Sequence, residues 1–105
     1  MISINRWSIL NDNILNILLK DAVQFNCSMK WYHTEYIILY PNDYGFKISK
    51  TTKNNDTWEL IMLRSSEIDE YEFYYNSEIT DYDTVRGLTD EEIIPLAQAI
   101  KEWKY

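Results

Sequence analysis

Two clusters of turn residues, Pro41-Asn42-Asp43 and Lys53-Asn54-Asn55-Asp56, cut the centre of the chain into runs rich in β-branched and aromatic residues. Links that short force neighbouring strands to run antiparallel, because a parallel pair needs a crossover of roughly a dozen or more residues. The runs are Met29 to Tyr40, Tyr44 to Lys50 with Phe46 and Ile48 on one face, and a third in which Trp58, Leu60 and Met62 alternate. Ile61 and Leu63 fall on the other face of that third strand, which places it at the centre of the sheet or under a helix on each side. A fourth run alternates Tyr71, Phe73 and Tyr75 with Glu70, Glu72 and Tyr74. Turning the first set to the core turns the second, acids and an exposed aromatic together, to solvent.

The flanks read as helices. Leu10, Ile14, Ile17, Leu18, Ala22 and Phe25 share one stripe at helical spacing, with Asn11 or Asp12 as the N-cap and an end near Asn26. At the other end Thr89 and Glu92 fit a capping box, with Leu88 and Ile93 placed as its hydrophobic staple and Asp90, Glu91 and Glu92 at the positive end of the helix dipole. Gly87 allows a sharp entry, and Ile93, Leu96, Ala97, Ile100 and Trp103 supply the buried stripe. Pro95 removes a backbone donor, which predicts a separate first turn with the main helix starting at Pro95. Met1 to Asn5 alternates Ile2 and Ile4 with polar residues in the manner of a short edge strand. With no repeat, linker or low-complexity tract, residues 1–105 are expected to form a single α+β domain. Its sheet is a four-stranded, or with an added strand five-stranded, antiparallel meander flanked by an N-terminal and a C-terminal helix.

Composition supports a folded chain, since 46% of its residues are hydrophobic and 15% aromatic, enough for burial to offset ordering entropy. The single cysteine makes no internal disulfide, and no basic, apolar leader opens the sequence, so a cytoplasmic setting is expected. The longest apolar stretch, Tyr36 to Tyr40, falls far short of the roughly 20 residues that span a bilayer. A net charge of −7 argues against docking on anionic lipid. Fourteen Ile, nine Asn, nine Tyr and seven Lys against two Gly, three Ala, two Pro and three Arg read as the codon usage of an AT-rich genome.

The signatures of catalysis are missing. His33 has Trp31 and Glu35 as same-face neighbours, but no third ligand or nucleophile nearby, so a partly exposed histidine beside a carboxylate is the expected role. A pocket around Trp31, His33 and Glu35 is the minor enzymatic or small-ligand alternative. Cys27 follows the predicted first helix, where the dipole disfavours a thiolate, and reads as a small buried hydrophobe. Asp81-Tyr82-Asp83-Thr84 is similar to part of a calcium loop, yet Gly and the closing Glu do not fall at the required offsets. Gly45 and Gly87 lie too far apart for a phosphate-binding loop, and only Lys47, Lys50 and Lys53 line up as a basic group. No cofactor, no enzymatic activity and no direct nucleic-acid binding are expected.

The charge is lopsided. Between Ser66 and Glu92 ten acids face one base, Arg86, whereas the rest of the chain carries seven acids and nine bases. Carboxylates spaced along a rigid sheet can occupy the Arg and Lys pockets in which a partner holds phosphate. The expected contacts are Glu67, Asp69, Glu70, Glu72, Glu78, Asp81 and Asp83, with Tyr74 or Tyr82 as aromatic anchor. In size, acidity, AT bias and scarcity of cysteine the chain resembles the small phage inhibitors of bacterial defence, anti-CRISPR and anti-restriction proteins among them. That resemblance implies a non-enzymatic protein binding a basic partner such as a host nucleic-acid-handling complex. The alternative is an accessory or immunity-type protein acting through shape or as a homodimer across an uncovered sheet edge.

Overall fold

The computed structural model describes residues 10–30, 33–51 and 57–104. Helix α1 spans Asp12–Leu19, and six strands come after it: β1 Gln24–Lys30, β2 His33–Leu39, β3 Tyr44–Thr51, β4 Trp58–Ser65, β5 Tyr71–Phe73 and β6 Val85–Leu88. A 3₁₀ turn, Glu78–Thr80, lies between the last two, and helix α2 spans Asp90–Lys101. The expected α+β meander between two helices is what forms, with all strands antiparallel in the order β1-β2-β3-β4-β5 and β6 also on β4. No helix among the described residues is long and apolar enough to cross a membrane. The Met1 to Asn5 strand, the Lys53 to Asp56 turn and Trp31 lie outside the described residues.

The first helix is shorter than its apolar stripe predicts. Asn11 caps it as expected, accepting from the amides of Asn13 at 2.8 Å and Ile14 at 3.4 Å. It ends at Leu19 rather than near Asn26, because Lys20 is extended and Asp21 takes φ +67°, a conformation that short polar side chains tolerate. Beyond that turn the chain enters the extra strand β1. The run Met29 to Tyr40 is therefore not one strand but the end of β1 and the whole of β2, joined as a hairpin that closes on the Lys30–His33 pair. The period-2 alternation Val23, Phe25, Cys27, Met29 carries the strand signal, and it overlaps the helical stripe at Phe25. Cys27 is accordingly exposed on a strand, not buried behind a helix, and partial burial beside Tyr36 still pushes its thiol pKa up.

Strand β4 is central, paired to β3 on one side and to β5 and β6 on the other. Both helices cover the same face, so the picture of one helix on each side does not hold. Leu10, Ile14 and Leu18 from α1 and its approach, and Ile93, Ala97 and Ile100 from α2, join Tyr36, Ile38, Phe46, Ile48, Trp58, Leu60 and Met62 in one core. Fully burying each large apolar side chain contributes about 1.5–3 kcal/mol, which makes this face the source of most of the stability. The opposite face holds a smaller cluster of Ile37, Leu39 and Leu63, covered by Tyr71 rather than by a helix. Gly45 lies opposite Leu39, and a Cβ there would come within 2.0 Å of the Ile38 carbonyl oxygen, so only glycine allows this close approach.

Helix α2 runs unbroken through Pro95 instead of starting there. The capping box forms as predicted, with the Thr89 amide donating to Glu92 Oε1 at 2.8 Å and the Glu92 amide to Thr89 Oγ1 at 3.4 Å. Those bonds hold the first turn, and the carbonyl that Pro95 leaves without a donor belongs to Glu91, which is exposed to water. Leu88 and Ile93 are both buried in the core, as a staple requires. Gly87 takes φ +75°, the left-handed entry expected of it.

Candidate protein-interaction surface

Strands β5 and β6 lie in line along the same edge of β4, with Ser65 opposite Tyr71, Leu63 opposite Phe73, Leu60 opposite Val85 and Trp58 opposite Leu88. Between them the chain leaves the sheet at Tyr74 and returns at Thr84. Small polar groups pin this excursion against the core: Ser77 and Thr80 are buried, the Ile79 amide donates to Ser77 Oγ at 3.1 Å, and the Tyr82 amide donates to the Ser77 carbonyl at 2.9 Å. Ile79 packs on the core. The tip then turns through two successive left-handed residues, Asp81 at φ +55° and Tyr82 at φ +61°, which leaves Tyr82 61% exposed.

Tyr74 does not point to solvent. The alternation of the fourth run holds, but its inside and outside are exchanged, because this sheet has two apolar sides. Tyr71 packs on the helix-free cluster, Phe73 and Tyr75 are exposed, and Tyr74 packs on the helix-side core. Its ring meets Tyr44 edge-on at 5.0 Å. Burial first, and Tyr74 second, push the Tyr44 hydroxyl pKa up.

Two clefts flank this tyrosine pair. One runs from Tyr44 past Arg64 to Glu67, Ile68 and Glu72; the other is lined by Tyr74, Asn76, Glu78, Tyr82 and Trp103. Of the nine residues expected at the site, Glu67 and Glu72 line the first cleft and Tyr74, Glu78 and Tyr82 the second. Asp81 and Asp83 are exposed at the excursion's tip on either side of Tyr82, and Asp69 is exposed on the bend before β5. Glu70 is separated from them: its carboxylate accepts from Gln24 Nε2 of β1 at 2.9 Å.

The acid-rich stretch is thus partly structural. Asp90 Oδ1 accepts from the Trp58 indole at 2.8 Å, Glu92 closes the capping box, and Glu72 lies 3.9 Å from Arg64. That last pair is exposed and contributes little to stability. Glu67, Asp69, Glu78, Asp81 and Asp83 make no ion pair with a Lys, Arg or His among the described residues.

The sequence assigns Asn42 to a turn and Trp103 to the buried stripe of the last helix, and neither to the site; Trp103 instead lies past the end of α2 and is half-buried. The Asn42 side chain donates to the carbonyls of Ile100 at 2.8 Å and Trp103 at 2.9 Å, which satisfies the end of α2 and fixes Trp103 beside the second cleft. Asn42 carries a turn signal in the sequence, but nothing local announces a partner 61 residues away. His33 Nε2 lies 3.6 Å from Glu35 Oε1, and Lys47 Nζ 3.8 Å from the same oxygen. The half-buried histidine therefore sits in a cross-strand charge group, with neither ring nitrogen aimed at a described nucleophile.

Comparison of the chain with protein-family models, curated proteins and solved structures finds no significant match.

Proposed function

We propose that this chain is a non-enzymatic binding protein that occupies a basic surface on its partner, through the acid-rimmed clefts on either side of Tyr44 and Tyr74. The observation that carries the reading is the pair of clefts lined by Glu67 and Glu72 and by Glu78 with the partly exposed Tyr74, Tyr82 and Trp103, beside the exposed Asp81 and Asp83, with Arg64 the single base lining either cleft among the described residues. Carboxylates flanking aromatic anchors are the arrangement that steers and then holds a cationic protein surface. A cytoplasmic inhibitor of a nucleic-acid-handling complex is the use that best fits this arrangement and the small phage inhibitors the sequence resembles.

Replacing Glu67, Glu78 and Asp83 together by lysine is the direct test, with binding measured to proteins captured from a bacterial lysate at low and high salt. The expected result is loss of capture with an unchanged circular dichroism spectrum. Capture that survives both the charge reversal and 0.5 M salt, roughly a 4–5 Å screening length, excludes the acidic surface as the binding site.

A second reading rests on the opposite edge. Among the described residues β1 is the terminal strand of the sheet, and Val23, Phe25 and Met29, at its entry and along it, are 65%, 40% and 53% exposed. A long edge strand with apolar side chains is a template for pairing. Two copies paired antiparallel about Cys27 set Phe25 against Met29 and Asn26 against Ser28, so apolar meets apolar, polar meets polar, and the Lys30 side chains stay at opposite ends. Sedimentation at rising concentration decides this, with a salt-insensitive dimer expected and a monomer counting against it.

A further inference from the structure

The clefts beside Tyr44 and Tyr74 differ in chemistry, and the second is the more specific. Tyr74, Tyr82 and Trp103 bring three aromatic residues to one depression whose remaining lining residues are Glu78 and Asn76. The geometry points to a receptor for a single arginine side chain of a basic partner protein. This inference rests on the proposed binding function and names the group that the site reads.

Guanidinium fits each part of that lining. Its flat, weakly hydrated face stacks on aromatic rings, and its edge carries N–H donors for a carboxylate and an amide oxygen. A lysine ammonium presents one strongly hydrated point of charge and leaves most of the ring surface unused. Among the described residues no Lys or Arg lines the cleft, and Asp81 and Asp83 flank Tyr82 in the chain, so its immediate surroundings favour a cation.

The walls are held before any ligand arrives. The Tyr74 amide donates to the Met62 carbonyl at 2.9 Å and its ring abuts Tyr44, while Asn42 fixes the backbone at Trp103. Tyr82 stands on a turn tied back to Ser77 and Thr80. The Tyr74 ring and the backbone at Trp103 and Tyr82 are thus set in advance, which lowers the entropic cost of capture, while the exposed Tyr82 ring is left to close on the ligand. Two of the chain's own bases are engaged elsewhere, Arg64 with Glu72 in the adjoining cleft and Lys101 with Asp21 at 3.0 Å, and Lys104, next to Trp103, is exposed and does not line the cleft.

The test uses the full chain with hexaarginine and hexalysine peptides of equal charge, titrated at low salt and followed by the Trp103 indole N–H resonance, assigned with Trp103→Phe. Hexaarginine is expected to shift that resonance and to bind about tenfold more tightly than hexalysine. Tyr82→Ala should remove that preference, and Tyr82→Asn, which tolerates the left-handed backbone, should do the same if the alanine variant is destabilised. Equal affinity for the two peptides, or an arginine preference that survives both Tyr82 variants, overturns the arginine receptor while leaving the acidic binding surface standing. Failure of both peptides to bind overturns the surface itself, and the receptor with it.

Discussion

The two edges of the sheet are built on opposite principles. On one side β1 is a single strand of seven residues, Gln24–Lys30, whose only charge is Lys30. On the other side the edge is broken into β5 and β6, of three and four residues, with an acid-rich excursion folded out between them. Short, interrupted and charged edges resist pairing with a further strand, whereas a continuous and nearly neutral one invites it. The broken edge also does what a strand cannot: by leaving the sheet it encloses a cleft and presents Tyr82. The proposed cleft for a basic side chain and the proposed pairing strand thus belong to different edges of the sheet.

The strongest way to break the contrast is to remove what holds the acidic edge in place. Trp58 is fully buried, pairs with Leu88 of β6 and donates to Asp90 at the start of α2. Trp58→Ala should cost about 3–5 kcal/mol in urea denaturation, because it leaves a large cavity and an unpaired carboxylate.

A smaller effect is expected where the helix that leads into β1 is anchored. The buried Tyr40 hydroxyl donates to the Leu18 carbonyl at 2.6 Å, so Tyr40→Phe strands that acceptor and should cost about 1–2 kcal/mol. Burial pushes the Tyr40 pKa up from 10.0 to about 12. Its contribution is therefore whole below pH 10 and lost as the pH rises from 10 toward 12, so the urea midpoint should fall more steeply over that range in the native protein than in Tyr40→Phe, which keeps the other tyrosines with raised pKa.

Two matched substitutions, each expected at about 1 kcal/mol, set the edges side by side. Phe25→Ala removes a ring stacked on Tyr36 at 6.0 Å, and Thr89→Ala removes the cap of α2. Only the second has a pH signature. Hydrogen bonds from Thr89 hold the Glu92 carboxyl below its ordinary 4.5, so its contribution is present above that pH and lost as the pH falls below it. Acid should narrow, without abolishing, the difference between the native protein and Thr89→Ala, since the bond from the Glu92 amide to Thr89 Oγ1 does not titrate, and leave that for Phe25→Ala in place.

The smallest change in stability belongs to Met29→Lys, expected within about 0.5 kcal/mol since Met29 is largely exposed. If β1 pairs with a second copy, that variant is monomeric in sedimentation at concentrations where the native chain is dimeric. A native chain that is already monomeric removes strand pairing from the comparison.

How far these features are legible in the sequence depends on how local their causes are. The capping box at Thr89 and Glu92 and the turn at Pro41 to Asp43 are each contained within a few neighbouring residues, and both form as the pattern predicts. The strand β1 is hidden because Leu18, Ala22 and Phe25 satisfy a helical period while Val23 to Met29 satisfies a strand period. The choice between them is made by Asp21 turning left-handed and by β2 offering an edge. Tyr74 escapes its expected place for a related reason. Alternation tells which residues share a side but not which side is the core, and here Tyr71 and Tyr74 each pack on a different apolar cluster.

The sequence by itself determined the antiparallel meander, the position of the caps and the uneven charge, since turn conformations, cap bonds and formal charges belong to a few neighbouring residues. Only the tertiary structure decided which carboxylates face a cleft and which are spent elsewhere. Glu70 finds Gln24 across the sheet, Asp90 finds Trp58, and Asn42 brings Trp103 to the excursion. Those partners lie 46, 32 and 61 residues apart in the chain, so chain folding alone brings them together and local pattern carries no trace of them.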